Sequence, residues 1–362
     1  MENSVLKKWG LNNFVTNNLE NDEIKYIGRI VTEGDKIYKV ATINGILIGE
    51  VSGKLEYNAL GIEDFPAVGD WVKLDRNEKN KGNAVIKKVL PRKTKVSRKV
   101  AGKKSDEQII ASNIDYIFIC MALNSDFNTR RLERYLTIVW DSGAVPVVML
   151  TKSDLCNNVD QKVLEAEEAA IGVDIYVTSS ITGEGIENLT KYINQGTTCA
   201  FIGSSGVGKS SLINSIRGDD FMKVKEIRKD DKGRHTTTHR ELVQIPGGGI
   251  IIDTPGMREI QIMDVEESLD RTFSDVEELT KMCRFTDCQH DTEPGCAVKK
   301  ALESGKLEES RWENYLKMKK EVAYFKRKND KKLESQYWEK MKKRSKKVKD
   351  IYEFRKKNGF KK

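Results

Sequence analysis

Between Gly203 and Ser211 the chain reads GSSGVGKSS. Glycines at 203, 206 and 208 let a backbone turn tightly enough for successive N–H groups, those of Ser204, Ser205 and Val207 among them, to converge on one polyanion. The helix expected to open at Lys209, Ser210 and Ser211 adds its positive end to that cradle. Lys209 is placed to reach the β- and γ-oxygens of a nucleoside triphosphate, and the Ser210 hydroxyl to ligate Mg²⁺. The motif follows an apolar strand-like run, TTCAFI, the context a phosphate loop needs. Further on, DTPG (Asp253 to Gly256) ends the run GIIID. There Asp253 can hold Mg²⁺ and the Gly256 N–H can touch a γ-phosphate. Between the two lies KDDKGRHTTTHR, in which Thr237 is the choice among Thr236, Thr237 and Thr238 to complete the metal shell. A polar loop of this kind is expected to order with triphosphate and loosen after hydrolysis.

A second constellation sets the base. TKSD at Thr151–Asp154 follows the apolar run AVPVVML. The Asp154 carboxylate can accept from both the N1–H and the exocyclic amine of guanine, donors that adenine does not present on that edge. Lys152 can lay its stem over the purine, and the Thr151 hydroxyl can tether the phosphate loop. The next strand ends in TSS, where the backbone at Ser179 and Ser180 can meet the guanine carbonyl. GTP and GDP are therefore the expected ligands. In an ordinary GTPase the base tetrapeptide follows the phosphate loop, whereas here it precedes it. A sheet whose chain is cut at another exposed loop keeps its contacts while the order of its motifs rotates, so the domain is expected to be circularly permuted. The segment ending at DTPGM then runs directly into whatever follows, which would couple nucleotide state to the C-terminal region.

A third group is CRFTDCQHDTEPGC: Cys283, Cys288, His290 and Cys296. Three thiolates and an imidazole make a complete tetrahedral set for Zn²⁺, with no open position for water, and so a structural metal. Cys120, Cys156 and Cys199 lie in or beside apolar runs and read as small core residues.

The elements that must position these groups fall into three regions. From Ile24 to Leu90 five short strands, KYIGRIV, KIYKVAT, GILIGEV, DWVKL and NAVIKKVL, are separated by turn signals and suit an OB-type barrel. PRKTKVSRKVAGKKSDEQ reads as a flexible connection. From Ile109, buried strands alternate with helical segments, the pattern of a mostly parallel sheet covered on both faces. After Met263 the chain reads as helical around the cysteines and ends in a long basic segment. The fold class is thus multidomain: an OB-type barrel (1–95), a permuted α/β P-loop GTPase domain (96–262), and a helical zinc-binding domain with a basic tail (263–362).

The 362 residues carry a net charge of +8, but Lys306 to Lys362 hold 22 Lys+Arg against 9 Asp+Glu, so this tail contributes +13 and the preceding 305 residues carry −5. Such a density at one end suits a polyanionic partner, nucleic acid above all. The chain has no apolar run near the roughly 18 residues of a membrane span, and a cytoplasmic protein without a membrane partner is expected.

With these residues in place, the chain resembles the ribosome small-subunit-dependent GTPase A family (RsgA, also called YjeQ or YloQ). The barrel, ASNIDYIFIC, TKSD, GSSGVGKSSLIN, GRHTTTHR, DTPGM and the cysteine cluster occur in the family's order over about residues 5 to 345. The resemblance implies a late maturation factor of the 30S subunit that binds 16S rRNA, hydrolyses GTP when the subunit stimulates it, and then leaves; a monomer is implied. It also implies zinc at the cysteine cluster. Two features depart from or extend the pattern: Thr151 stands where many GTPases have Asn, and the last fifteen or so residues are an extension. Many GTPases orient the attacking water with a glutamine after DxxG; here Met257 follows Gly256, and a thioether cannot do so. The resemblance points to His235, with His239 as the alternative. The competing readings are a binding protein for which nucleotide is a conformational label, and a P-loop enzyme acting on a small molecule.

Overall fold

The computed structural model describes residues 3–20, 23–34, 36–78, 82–99, 107–217, 240–253, 266–329, 333–337, 339 and 342. The chain opens with two short helices, α1 (Asn3–Lys8) and α2 (Asn13–Thr16), the second capped by the Asn12 side chain on the Val15 N–H. Their Leu6, Leu11 and Val15 pack with Ile27, Trp71 and Leu90, closing one end of the barrel that follows. The sequence reading assigned no element to this stretch.

Five strands build the barrel: β1 (Ile27–Glu33), β2 (Ile37–Thr42), β3 (Gly45–Val51), then helix α3 (Gly53–Asn58), β4 (Trp71–Leu74) and β5 (Ala84–Val89). Period-two alternation sends Tyr38 and Val40 inward with Ile30, Leu47, Val72 and Ile86, and leaves Ile37 and Lys39 outside. β1 pairs with both β2 and β4, and β3 runs parallel to β5, so the sheet closes on itself as an OB-like barrel.

The expected flexible connection is corrected. Within it lies β6 (Lys95–Lys99), and it runs into β7 (Glu107–Ser112), the two forming an antiparallel ribbon with Val96 and Ile110 buried; residues 100–106 lie outside the described residues. The ribbon is tied back to the barrel by the Ser112 N–H on the Val68 carbonyl.

The central sheet comprises β8 (Tyr116–Ala122), β9 (Val145–Thr151), β10 (Asp174–Val177), β11 (Thr198–Ile202), β12 (Glu241–Gln244) and β13 (Ile250–Asp253), in the order β10-β9-β8-β11-β13-β12. The first five of these are mutually parallel and only β12 is antiparallel. Helices α4 (Thr129–Ser142), α5 (Val159–Ala169) and α6 (Lys209–Arg217) make the crossovers. The expected helix in GIENLTKYINQG is a 3-10 segment, Ile186–Lys191. On α4, Leu132, Leu136 and Val139 pack onto the sheet, while Ile138 enters a different cluster. β12 also pairs with the barrel through Thr32 and Glu241, so one eleven-stranded sheet runs through both regions.

That second cluster belongs to the C-terminal helices α7 (Glu266–Thr272), α8 (Ser274–Lys281), α9 (Ala297–Glu303) and α10 (Glu309–Asn329). Phe273, Val276, Val298, Trp312, Tyr315 and Met318 form its interior. The helical character expected after Met263 is present. The basic tail from 343 onward lies outside the described residues, as does 218–239 with Gly233, His235, Thr236, Thr237, Thr238 and His239, and 254–265 with Gly256 and Met257.

Candidate nucleotide site and metal centre

Because β8, β9, β10, β11 and β13 are parallel, their carboxyl ends share one edge of the sheet, and the chain changes winding direction between β8 and β11. Open α/β sheets bind ligands at such a point. The loop after β11 is Gly203–Gly208, the loop after β9 carries Lys152 and Asp154, and the loop after β10 carries Ser179 and Ser180. Asp253 is the last residue of β13, opposite Glu241.

The phosphate-loop candidate has a demanding backbone. Gly203 has φ +143°, and a Cβ there would sit 2.4 Å from the Cys120 carbonyl of the neighbouring strand; no larger residue fits. Val207 is buried, and Lys209 starts α6 with Ser210 and Ser211 in its first turn. Lys209 Nζ donates to the carbonyls of Gly203 (2.8 Å) and Ser204 (2.6 Å). Beneath the loop, burial pushes the Cys120 thiol up to about 12, the behaviour of an inert core residue. Cys199 is buried too, and Cys156 is half-buried.

Two side-chain bonds fix the base-recognition candidate. Ser179 Oγ donates to Asp154 Oδ1 at 2.6 Å and itself accepts from the N–H groups of Ile181 and Thr182 at 3.2 Å each. Ser153 Oγ donates to Glu184 Oε2 at 2.7 Å. Lys152 takes the left-handed conformation, φ +61°, which turns the chain between strand and Asp154. Thr151 Oγ1 donates to the Val207 carbonyl at 2.6 Å, so the two motifs, far apart and in inverted order along the chain, meet directly. The sequence reading missed Glu184 and the role of the Ser179 side chain. It also missed Asp126, in the loop after β8, which accepts from Ser204 Oγ at 2.5 Å and pairs with Arg131. Burial alone would raise its carboxyl, but the bonds from Ser204 and Arg131 hold it below the usual range. No local pattern in LNSDFN marks it.

For the metal centre the fit can be tested from donor spacing. The ligand atoms of Cys283, Cys288, His290 and Cys296 lie within 4.8 Å of one another. His290 Nδ1 is 3.5 Å from the sulfurs of Cys283 and Cys296, which are 3.9 Å apart. Tetrahedral zinc with Zn–N and Zn–S bonds of roughly 2.0–2.1 and 2.3 Å requires N–S and S–S separations of about 3.5 and 3.8 Å. The four residues fit zinc. His290 is itself held in the left-handed region, φ +61°, and its ring meets Trp312 edge-on at 5.4 Å. Cys296 also caps α9 through the Lys299 N–H, so the cluster organises the helical core it sits in.

Sheet order, phosphate loop and inverted motif order define the class: a circularly permuted P-loop GTPase. The RsgA GTPase family model matches residues 89–263. "Small ribosomal subunit biogenesis GTPase RsgA 1" of Oceanobacillus iheyensis is 46% identical over 323 residues, covering 89% of this chain and 92% of that one. YjeQ from Thermotoga maritima superposes with a TM-score of 0.61 at 31% identity, over 82% of this chain and 98% of that one. YloQ, described as a circularly permuted GTPase, gives 0.60 at 27%, over 84% and 97%. The chain belongs to the RsgA family and is a GTP-hydrolysing enzyme. No helix among the described residues is long and apolar enough to cross a membrane.

Proposed function

We propose that this GTPase acts in biogenesis of the small ribosomal subunit, binding the immature 30S particle and its 16S rRNA, hydrolysing GTP to GDP and phosphate under the particle's stimulus, and leaving as hydrolysis proceeds. The observation that carries the reading is the Thr151–Val207 hydrogen bond. It supports the reading by joining the strand end that leads into Asp154 to the loop Gly203–Gly208, and the names of the relatives supply the partner. The three-region division at 95/96 and 262/263, the cytoplasmic location and the monomeric state belong to the same proposal.

In this reading Asp154, oriented by Ser179, accepts from the two guanine donors, Lys152 covers the ring, and the Ser180 backbone meets the carbonyl. The N–H groups of Gly203–Ser211 surround the phosphates, with Gly206 and Gly208 shaping the turn. Lys209 leaves the Gly203 and Ser204 carbonyls to reach the β/γ oxygens, where charge builds in the transition state. Ser210, at the start of α6, and Asp253, at the end of β13 beside β11, are the described residues that would hold Mg²⁺, with Thr237 completing the set. The ion supplies neutralisation of phosphate charge when bound. His235 orients the attacking water and Gly256 donates to the γ-phosphate. Zinc on Cys283, Cys288, His290 and Cys296 has a structural part only.

The test is GTP turnover with and without purified 30S subunits. Strong stimulation is expected, and no acceleration would favour a protein for which nucleotide is only a conformational label. Calorimetry with GTP and ATP checks the base reading, a lack of preference removing Asp154 from its role. His235→Ala should depress stimulated turnover by about 10²-fold or more, the usual worth of a positioned general base, while GTP affinity stays within twofold. Binding of the subunit should weaken steeply with salt through counterion release.

A further inference from the structure

Asp126 stands three residues before α4, beside the phosphate loop but outside every motif that names a nucleotide ligand. A carboxylate near a polyanion site opposes binding, the more so where burial lowers the effective dielectric. Here both oxygens are engaged elsewhere. Oδ2 accepts from Ser204 Oγ at 2.5 Å, and Oδ1 faces Arg131 Nη2 at 2.8 Å. Arg131 lies in the first turn of α4 and also donates to the Asp126 carbonyl. The Asn128 side chain caps the same helix on the Arg131 N–H at 3.0 Å. The loop after β8 is thereby built as a bracket that holds Ser204 from one side and is bolted to α4 on the other.

Ser204 is the residue on which the loop's geometry turns. Its carbonyl, with that of Gly203, receives Lys209 Nζ. When the lysine departs for a phosphate, these backbone contacts are lost and the side-chain bond to Asp126 is what still holds Ser204 in place. We infer that Asp126 is a positioning residue for GTP binding: through the Ser204 hydroxyl it keeps the first turn of the phosphate loop in its anion-receiving shape against the fixed end of α4. The inference rests on reading Gly203–Ser211 as the phosphate loop and adds a group that touches no nucleotide atom.

The experiment uses the full-length protein and fluorescent GDP and GTP analogues, with Kd and dissociation rate measured for Asp126→Asn, Ser204→Ala, Ser204→Thr and the double variant Asp126→Asn/Ser204→Ala. Each of the first two should weaken both nucleotides five- to tenfold, chiefly through faster dissociation. The double variant should be no more than twofold weaker than either, because one interaction is removed twice. Ser204→Thr, which keeps the hydroxyl, should restore affinity to within twofold of wild type, a rescue that mere packing at this site does not give. Melting temperatures, expected within a few degrees of wild type, show that the variants are folded. Single variants that bind like wild type, losses that multiply in the double variant, or a threonine variant as weak as the alanine one would each overturn the inference while leaving the phosphate-loop reading intact. Wild-type protein that binds no guanosine nucleotide would overturn both.

Discussion

The GTPase region is joined to its two neighbours by junctions with different chemistry at their centres. On the barrel side, Arg29 of β1 is fully buried and donates to the carbonyls of Trp9 (2.6 Å), Gly69 (3.1 Å) and Asn113 (3.0 Å) and to Thr198 Oγ1 (2.9 Å). All four acceptors are neutral. Burial pulls the guanidinium down to about 10, with the charges of Asp115 and Asp70 acting against the fall, so it remains a cation at neutral pH. Packing is tight enough that a Cβ on Gly10 would fall 2.5 Å from Arg29 Nη1. On the other side, α4 meets the C-terminal helices through ion pairs graded from core to rim. Arg311 bridges Glu133 (2.5 Å) and Asp275 (2.7 Å), Arg134 pairs with Glu321 (2.7 Å), and Arg130 reaches Glu313 at 3.3 Å. Thr137 donates to Thr272, Asn314 to Glu133, and Arg271 lies 3.4 Å from the Trp140 ring centroid. The difference teaches that the barrel junction centres on one buried cation held by neutral acceptors, with the Arg240–Glu33 and Lys93–Asp115 pairs beside it, while the helical junction centres on carboxylate–guanidinium pairs whose strength depends on solvent and ionic strength.

Four experiments would break or sharpen this contrast. The largest effect is expected from the metal. With zinc bound as proposed, worth on the order of 10 kcal/mol to a small module, chelation should abolish cooperative unfolding of the C-terminal helices. Differential scanning calorimetry should show the barrel and GTPase transition nearly unmoved, and a single transition lost as a whole would erase the distinction. Next is Arg29→Met, which orphans several buried acceptors and should cost about 4 kcal/mol. Urea unfolding at low and high salt should give the same loss for this substitution, and a salt-dependent loss would show that the centre of the junction is ionic too. Arg311→Met leaves Glu133, whose carboxyl burial already raises despite Arg311, without its cation. The expected cost is about 3 kcal/mol, with Glu133→Gln/Arg311→Met recovering part of it. Smallest are Arg134→Met, about 1 kcal/mol, and Arg130→Ala, under about 0.5 kcal/mol, since the Arg130–Glu313 pair is 50% and 62% exposed. Both losses should vanish in 1 M salt, and persistence there would mean packing rather than charge.

What could be read beforehand follows the same divide between local and distant causes. The tight turn at Gly203–Gly208 was legible because each glycine answers a backbone need within nine residues, and the cluster of Cys283, Cys288, His290 and Cys296 because their spacing is short. The barrel strands were legible from alternation such as Ile37-Tyr38-Lys39-Val40. Arg29 looked like an ordinary strand residue, since its acceptors stand 20, 40, 84 and 169 positions away. Glu133 and Thr137 carried no signal within their helical run; they are covered by residues such as Thr272, 135 positions downstream of Thr137, and Arg311, 178 positions downstream of Glu133. The ribbon of β6 and β7 escaped because a polar, basic composition hides pairing that depends on only a few buried residues such as Val96. Asp126 escaped because its meaning lies wholly in Ser204, 78 positions later.

Strand β11 is gripped at its amino end, where Thr198 receives Arg29 on its hydroxyl and gives its N–H to Asp115 at 3.0 Å. The phosphate loop departs from its carboxyl end, at Ile202. The strand's amino tip is thus anchored to the barrel, and its carboxyl tip leads into the loop that meets Asp126 through Ser204. One short strand therefore reaches the barrel from one end and, through Ser204, Asp126 and Arg131, the helix α4 that faces the C-terminal helices from the other.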